Sequence, residues 1–175
     1  MPNLSICIIT KNECDNLKIC LERIKALGCE IVVVDTGSSD NSKKIASAVT
    51  PCVYDFVWCD DFSAARNFAI QKAANDWILF LDSDEFVDAF DMPKLLEQLQ
   101  AMPASIGHIH IKSLYENNGQ TAIPYCYCHL VCSKAKCTNQ NCDWHLSISI
   151  NMYVKYIIGI RLILQPCTTV WNHCR

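Results

Sequence analysis

Charge is scarce in this 175-residue sequence. Only 19% of residues are Asp, Glu, Lys or Arg, and a net charge of −3 excludes nucleic-acid binding by bulk electrostatics. Glycine is scarcer: five in all, and none between residues 10 and 16. No basic stretch precedes the first apolar run, and Leu4–Ile9 is too short for the core of a secretory signal. The expected compartment is therefore the cytoplasm, where thirteen cysteines stay reduced, and an odd number cannot all pair internally. Leu146–Leu164 is apolar, but Asn151, Lys155 and Arg161 interrupt it, which argues against a membrane span.

Against these absences stands a hydrophobic fraction of 51%, enough for one folded domain with a proper core. Leu4–Ile9 reads as a buried strand. Leu17, Cys20, Leu21, Ile24 and Leu27 fall on one helical face that Gly28 terminates. Glu30–Asp35 is apolar on both faces, as a central parallel strand is. A polar loop follows, in which Asp40 or Ser42 can cap a helix through Ile45 and Ala48. Further strands are expected at Cys52–Trp58, Trp77–Leu81 and His108–Lys112, with helices through Phe62–Ala73 and from Pro93 to Leu99. Strand–helix alternation of this kind predicts an open α/β sheet, mostly parallel, with helices on both faces.

In such sheets ligands bind beyond the carboxyl ends of the strands. Three of the expected strands end in polar clusters, at Thr10-Lys11-Asn12-Glu13, Asp35-Thr36 and Asp82-Ser83-Asp84-Glu85, so one rim gathers the candidate chemistry. Crowded carboxylates repel unless a cation sits between them, and Mg²⁺ or Mn²⁺ commonly bridges such groups to a substrate phosphate. The plainer reading of Asp82, Asp84 and Glu85 is a solvated strand-to-helix turn with capping aspartates. Asp35 either caps its loop or accepts a hydrogen bond from a base or ribose. Arg66 either pairs with Asp60 and Asp61 or faces the rim to meet a phosphate, for which its forked donors are suited.

Four blocks, Leu4–Glu13, Ile31–Asp40, Asp61–Asn67 and Ile78–Glu85, resemble in order and separation the signatures of glycosyltransferase family 2. The resemblance is expected to run to about Tyr125. It implies a GT-A fold and transfer of a sugar, with inversion, from a nucleotide-diphosphate donor such as a UDP-sugar. By that resemblance Thr10, Asn12, Glu13 and Asp35 line the nucleoside pocket and Arg66 lies near the base or diphosphate. Asp82 touches ribose or sugar, and Asp84 holds a divalent Mg or Mn ion. The nearest subgroup, bacterial proteins opening on Thr-Lys-Asn-Glu, implies a glycolipid or peptide acceptor and a cytoplasmic enzyme peripheral at the inner membrane face. A nucleotidyltransferase, which needs a glycine-rich basic loop after the first strand, is the weaker alternative.

Composition changes abruptly at Tyr125-Cys126. Residues 1–125 carry 17 of the 18 acids and ten of the 15 bases, a net of −7, whereas residues 126–175 carry only Asp143 against five bases, a net of +4, and seven of the 13 cysteines. The reading is a nucleotide-sugar-binding domain over 1–125 and an atypical cysteine-rich tail over 126–175, a frameshifted or truncated acceptor region. The Arg-Leu-Phe strand and His-Glu pair usual in the subgroup are absent, although one shifted frame permits Arg-Leu-Phe across Leu130–Ser133. No catalytic base is identifiable, so a catalytically dead nucleotide-sugar-binding fragment or scaffold is the second reading. Cys126, Cys128, Cys132, Cys137 and Cys142, with His129 and His145, lack the paired C-x2-C spacing of zinc knuckles. The tail is expected to pack poorly, with little regular structure joined to the main sheet.

Overall fold

The computed structural model describes residues 3–89, 91–101, 105–117, 120–122, 126–133, 154–158 and 163–166. Strand β1 (Leu4–Thr10) lies at the centre of the amino-terminal half, parallel to β2 (Glu30–Asp35) on one side and to β4 (Trp77–Asp82) on the other. β3 (Val53–Asp55) continues the parallel array beyond β2. The chain thus winds outward from β1 through α1 (Cys14–Lys25), β2, α2 (Ser42–Val49) and β3. It then returns through α3 (Phe62–Lys72) to place β4 on the opposite flank of β1. That reversal is a topological switch point, and it falls between the carboxyl ends of β1 and β4.

Alternation along the strands explains why helices cover both faces. Leu4, Ile6, Ile8, Ile31, Val33, Leu79 and Leu81 pack with Leu17, Leu21 and Ile24 of α1, with Ala46 of α2, and with Leu95 and Leu99 of α4 (Met92–Ala101). Cys7, Val32, Val34, Ile78 and Phe80 point the other way, onto Ala69 and Ile70 of α3 and the following Ala73. The small residues at 65, 69 and 73 let α3 lie close to the sheet, and all three are buried. Four of the five apolar positions expected on the α1 face, Leu17, Cys20, Leu21 and Ile24, are fully buried. Gly28 takes φ +68° just past that helix, where an L side chain is strained.

Three expectations need correction. The third strand is only Val53–Asp55 rather than Cys52–Trp58, because it is the sheet edge and leaves the ladder after Phe56 N donates to Asp35 O. The acidic segment after β4 does not turn into a helix; Ser83 and Asp84 form a tight turn into β5 (Glu85–Ala89). The tail is not detached from the sheet where it is described. β8 (Cys126–Ser133) pairs antiparallel with β4 and with β6 (Ser105–Asn117). β9 (Val154–Ile158) pairs with β5 and β6, and β10 (Ile163–Pro166) pairs with β6, as does the short β7 (Gln120–Ala122). Cys137, Cys142, Asp143, His145 and most of Leu146–Leu164 lie outside the described residues.

Candidate active site

Thr10 and Asp35 are the last residues of β1 and β2 and stand opposite one another in the parallel register. Both are only 3% exposed. Asp35 Oδ1 accepts from Gly37 N at 2.9 Å and Ser38 N at 2.8 Å, while Asp35 Oδ2 and Thr10 Oγ1 are buried with no hydrogen-bond partner among the described residues. Buried polar atoms are nearly always satisfied, so two orphans on paired residues at the carboxyl end of the sheet make this end the candidate ligand site.

The loop after β2 is stitched to the loop after β1. Thr36 N and Oγ1 both donate to Thr10 O, at 3.0 and 3.2 Å. Asn12 N donates to Ser38 Oγ at 2.9 Å, and Ser39 N donates back to Asn12 Oδ1 at 2.7 Å. Glu13 N donates to Ser42 Oγ, and Cys14 N to Asp40 Oδ2. The start of α1 is therefore capped in trans by the second loop, and the N-cap residue Glu13 makes no side-chain cap of its own. Glu13 Oε2 instead accepts from Asn16 Nδ2 at 2.9 Å. Hydrogen bonds from Ser42, and then from Cys14, hold the Asp40 carboxyl below the usual carboxylate range. Asp40 thus serves both loops, rather than only capping α2.

On the other side of β1, Asp82 stands opposite Ile9 at the end of β4. Asp82 and Asp84 are partly exposed, but Glu85 is 2% exposed and turns inward, its Oε2 accepting from Asp82 N at 2.9 Å. Of the three crowded carboxylates, Glu85 is thereby a structural brace for the turn that presents the other two. Their charges reach Cys20 on the buried face of α1: burial first, then Glu85, Asp84 and Asp82, push its thiol up to about 12. Arg66 is half-buried on α3, whose first turn is capped by Asp61 Oδ1 accepting from Ser63 N and Ala64 N. Its guanidinium lies 5.9 Å from the ring centroid of Phe80, two residues before Asp82 on the same strand. Arg66 thus stands beside β4, while Asp61 is engaged in capping and Asp60 accepts from Trp58 Nε1.

Among the described residues no group of three or more His, Cys, Asp or Glu side chains is arranged to hold a metal ion. The donor chemistry of Asp82 and Asp84 still fits a hard divalent ion, since Mg²⁺ is ordinarily held by one or two carboxylates and completed by phosphates and water. Sequence reasoning named Thr10, Asn12, Glu13, Asp35, Arg66, Asp82 and Asp84 as parts of the site, and did not name Gly37, Ser38, Ser39 or Ser42. Their signal was a run of small polar residues in a β–α loop, which spacing alone does not distinguish from any other turn.

A parallel α/β half-sheet with an acidic rim at its switch point, extended by antiparallel strands, is the GT-A architecture of glycosyltransferases. Solved structures share it: residues 1–349 of TarS from S. aureus superpose with a TM-score of 0.52 at 18% identity, over 70% of this chain and 38% of that one. Glucosyl-3-phosphoglycerate synthase from Mycobacterium tuberculosis, in complex with Mn²⁺ and uridine-diphosphate-glucose, gives 0.54 at 18% identity, over 75% and 56%. The family model of glycosyl transferase family 2 matches residues 5–167, and the chain belongs to that family. The match runs well past Tyr125, where the resemblance was expected to end. Among curated relatives, a TPR repeat-containing protein of Synechococcus elongatus is 45% identical over 85 residues, covering 49% of this chain and 21% of that protein. Glycosyltransferase SunS of Bacillus subtilis is 38% identical over 86 residues, covering 47% and 20%. The matches thus span about a fifth of these relatives' length.

Proposed function

We propose that the rim binds a nucleotide-diphosphate sugar, a UDP-sugar first, and that the chain forms the donor half of a metal-assisted, inverting glycosyltransferase. The observation that carries this reading is the pair of orphaned atoms, Thr10 Oγ1 and Asp35 Oδ2. An ionised carboxylate only accepts hydrogen bonds. It suits a base with an imino N–H, as uracil and guanine have, better than cytosine, which has none. Thr10, whose hydroxyl donates or accepts, completes the contact beside it. Arg66 lies toward the base or diphosphate, Asp82 toward ribose or sugar, and Asn12 and Glu13 frame the pocket mouth. Asp84 would hold Mg²⁺ or Mn²⁺, which when bound offsets charge developing on the departing diphosphate.

The acceptor, a glycolipid or a peptide, belongs to the region after Tyr125, which we read as an altered acceptor segment even though its strands complete the sheet. Among the described residues no helix is long and apolar enough to cross a membrane. The proposed setting is the cytoplasm, peripheral at the inner membrane face. One observation favours a second reading, a donor-binding fragment without turnover: Asp143 is the only acid after Glu116, so residues 126–175 supply a single candidate carboxylate base. The deciding experiment is calorimetry with UDP-, GDP- and CDP-sugars, each with Mn²⁺ or Mg²⁺. Saturable binding of a UDP- or GDP-sugar supports the reading, and no binding of any donor removes it.

A further inference from the structure

We propose that Asn12 is a positioning residue, a clasp between the two rim loops that aims Asp35 without touching the donor. The proposal rests on the reading of Thr10 and Asp35 as the nucleobase contact. The chain of bonds is continuous. Asp35 Oδ1 holds Gly37 N and Ser38 N, at 2.9 and 2.8 Å, and this fixes which carboxylate oxygen is left over. Ser38 Oγ accepts from Asn12 N at 2.9 Å. Asn12 Oδ1 accepts from Ser39 N at 2.7 Å and from Ser39 Oγ at 3.2 Å. The side-chain acceptor of Asn12 is thus spent on the neighbouring loop.

Two backbone features show that the clasp is set by residue choice. Asn12 has φ +56°, a left-handed conformation that Asn, Asp and Gly adopt and other residues resist. Gly37 has φ +104°, and just beyond it the Ser38 amide donates to Asp35 while the Ser39 amide donates to Asn12. A glycine at 37 makes the loop pliable, so something outside it must hold its shape. Asn12 supplies that hold from β1's side, as Thr36 does at the strand end through Thr10 O. Without it, the loop keeps its ties at Thr36, Asp40 and Ser42 but loses the one at Ser39 between them, and the aim of the orphaned Oδ2 loosens.

Asn12→Gly tests this, because it tolerates the positive φ and removes the side chain with its acceptor; Asn12→Asp retains that acceptor and loses the amide donor. The probes are UDP with Mn²⁺ by calorimetry, the ligand-free thermal midpoint, and amide exchange of residues 36–42. Expected for Asn12→Gly is UDP affinity lower by about 3- to 10-fold with faster exchange at Ser39, as both hydrogen bonds from Ser39 to Asn12 Oδ1 are lost. Asn12→Asp should bind UDP within about 2-fold of wild type, a rescue that a lost amide contact to the donor would not allow. Wild-type affinity in Asn12→Gly, or an Asn12→Asp as weak as Asn12→Gly, overturns the clasp while leaving the donor site standing. If the wild-type chain binds no UDP, the site reading falls and the clasp with it.

Discussion

Thr10 and Asp35 face each other across β1 and β2, and each buries one side-chain oxygen that no described group satisfies. An unsatisfied buried polar atom costs about 1–3 kcal/mol, so the fold carries this pair at a loss until a ligand supplies the missing partners. Sites are commonly where a structure departs from its own packing rules.

Asp35→Asn separates ligand contact from loop support. The amide keeps an oxygen for Gly37 N and Ser38 N but places a donor where the free oxygen was. Two donors would then oppose each other at the imino N–H of the base. UDP affinity should fall by about 10- to 100-fold, the loss of a charge-assisted hydrogen bond, with little change in thermal midpoint. Calorimetry reads the first and a melting curve the second. An unchanged UDP affinity would remove Asp35 from the donor site.

Asp84→Ala should abolish the metal dependence of nucleotide-sugar binding and leave the fold nearly intact. Asp84 is partly exposed in a two-residue turn, so its carboxylate carries little packing. Binding of a UDP-sugar is compared in wild type and variant, with Mn²⁺ and with EDTA. Equal affinities in all four conditions would sink the assignment of Asp84 to the metal.

Glu85→Ala should behave in the opposite way. Glu85 is 2% exposed and accepts from Asp82 N, so its loss strands a part-buried amide. A destabilisation of about 1–3 kcal/mol follows, visible as a lower urea midpoint without added nucleotide. Glu85→Gln retains an acceptor oxygen and should recover much of it. A Glu85→Ala midpoint equal to wild type would show that the brace does not matter.

The first ninety residues were largely legible because they combine two clear periods. β1, β2 and β4 are apolar on both faces, and α1 shows its buried stripe at Leu17, Cys20, Leu21 and Ile24. The rim followed from where those strands end. What sequence left open was which carboxylate does what, since Asp82, Asp84 and Glu85 look alike in a string. Only the backbone reversal at Ser83-Asp84 shows that Glu85 folds inward. Strand β5 was hidden by the same three acids, which suggest a helix start. β8 was misjudged because its composition, rich in cysteine and poor in charge, broke the pattern of the preceding residues while still suiting a strand between β4 and β6.

The acidic rim also acts on a group that no ligand touches. Cys20 is fully buried on α1, and burial first, then the charges of Glu85, Asp84 and Asp82, raise its thiol from 9.0 to about 12. A raised thiol pKa means that the folded chain keeps a proton the unfolded chain gives up. The stability this contributes is whole below pH 9.0, and it is lost as pH climbs from there through about 12. Cys29, raised by burial to about 11, adds to the same decline. Cys20→Ala removes one of these protons, so its stability should fall less steeply above pH 9.0, by up to about 1.4 kcal/mol per pH unit. The variant starts from a lower value at neutral pH because the missing sulfur leaves a small void, but that deficit does not depend on pH. Urea midpoints measured from pH 8 to 11 under reducing conditions test this, and curves that stay parallel would show that the Cys20 thiol is not raised in the folded chain.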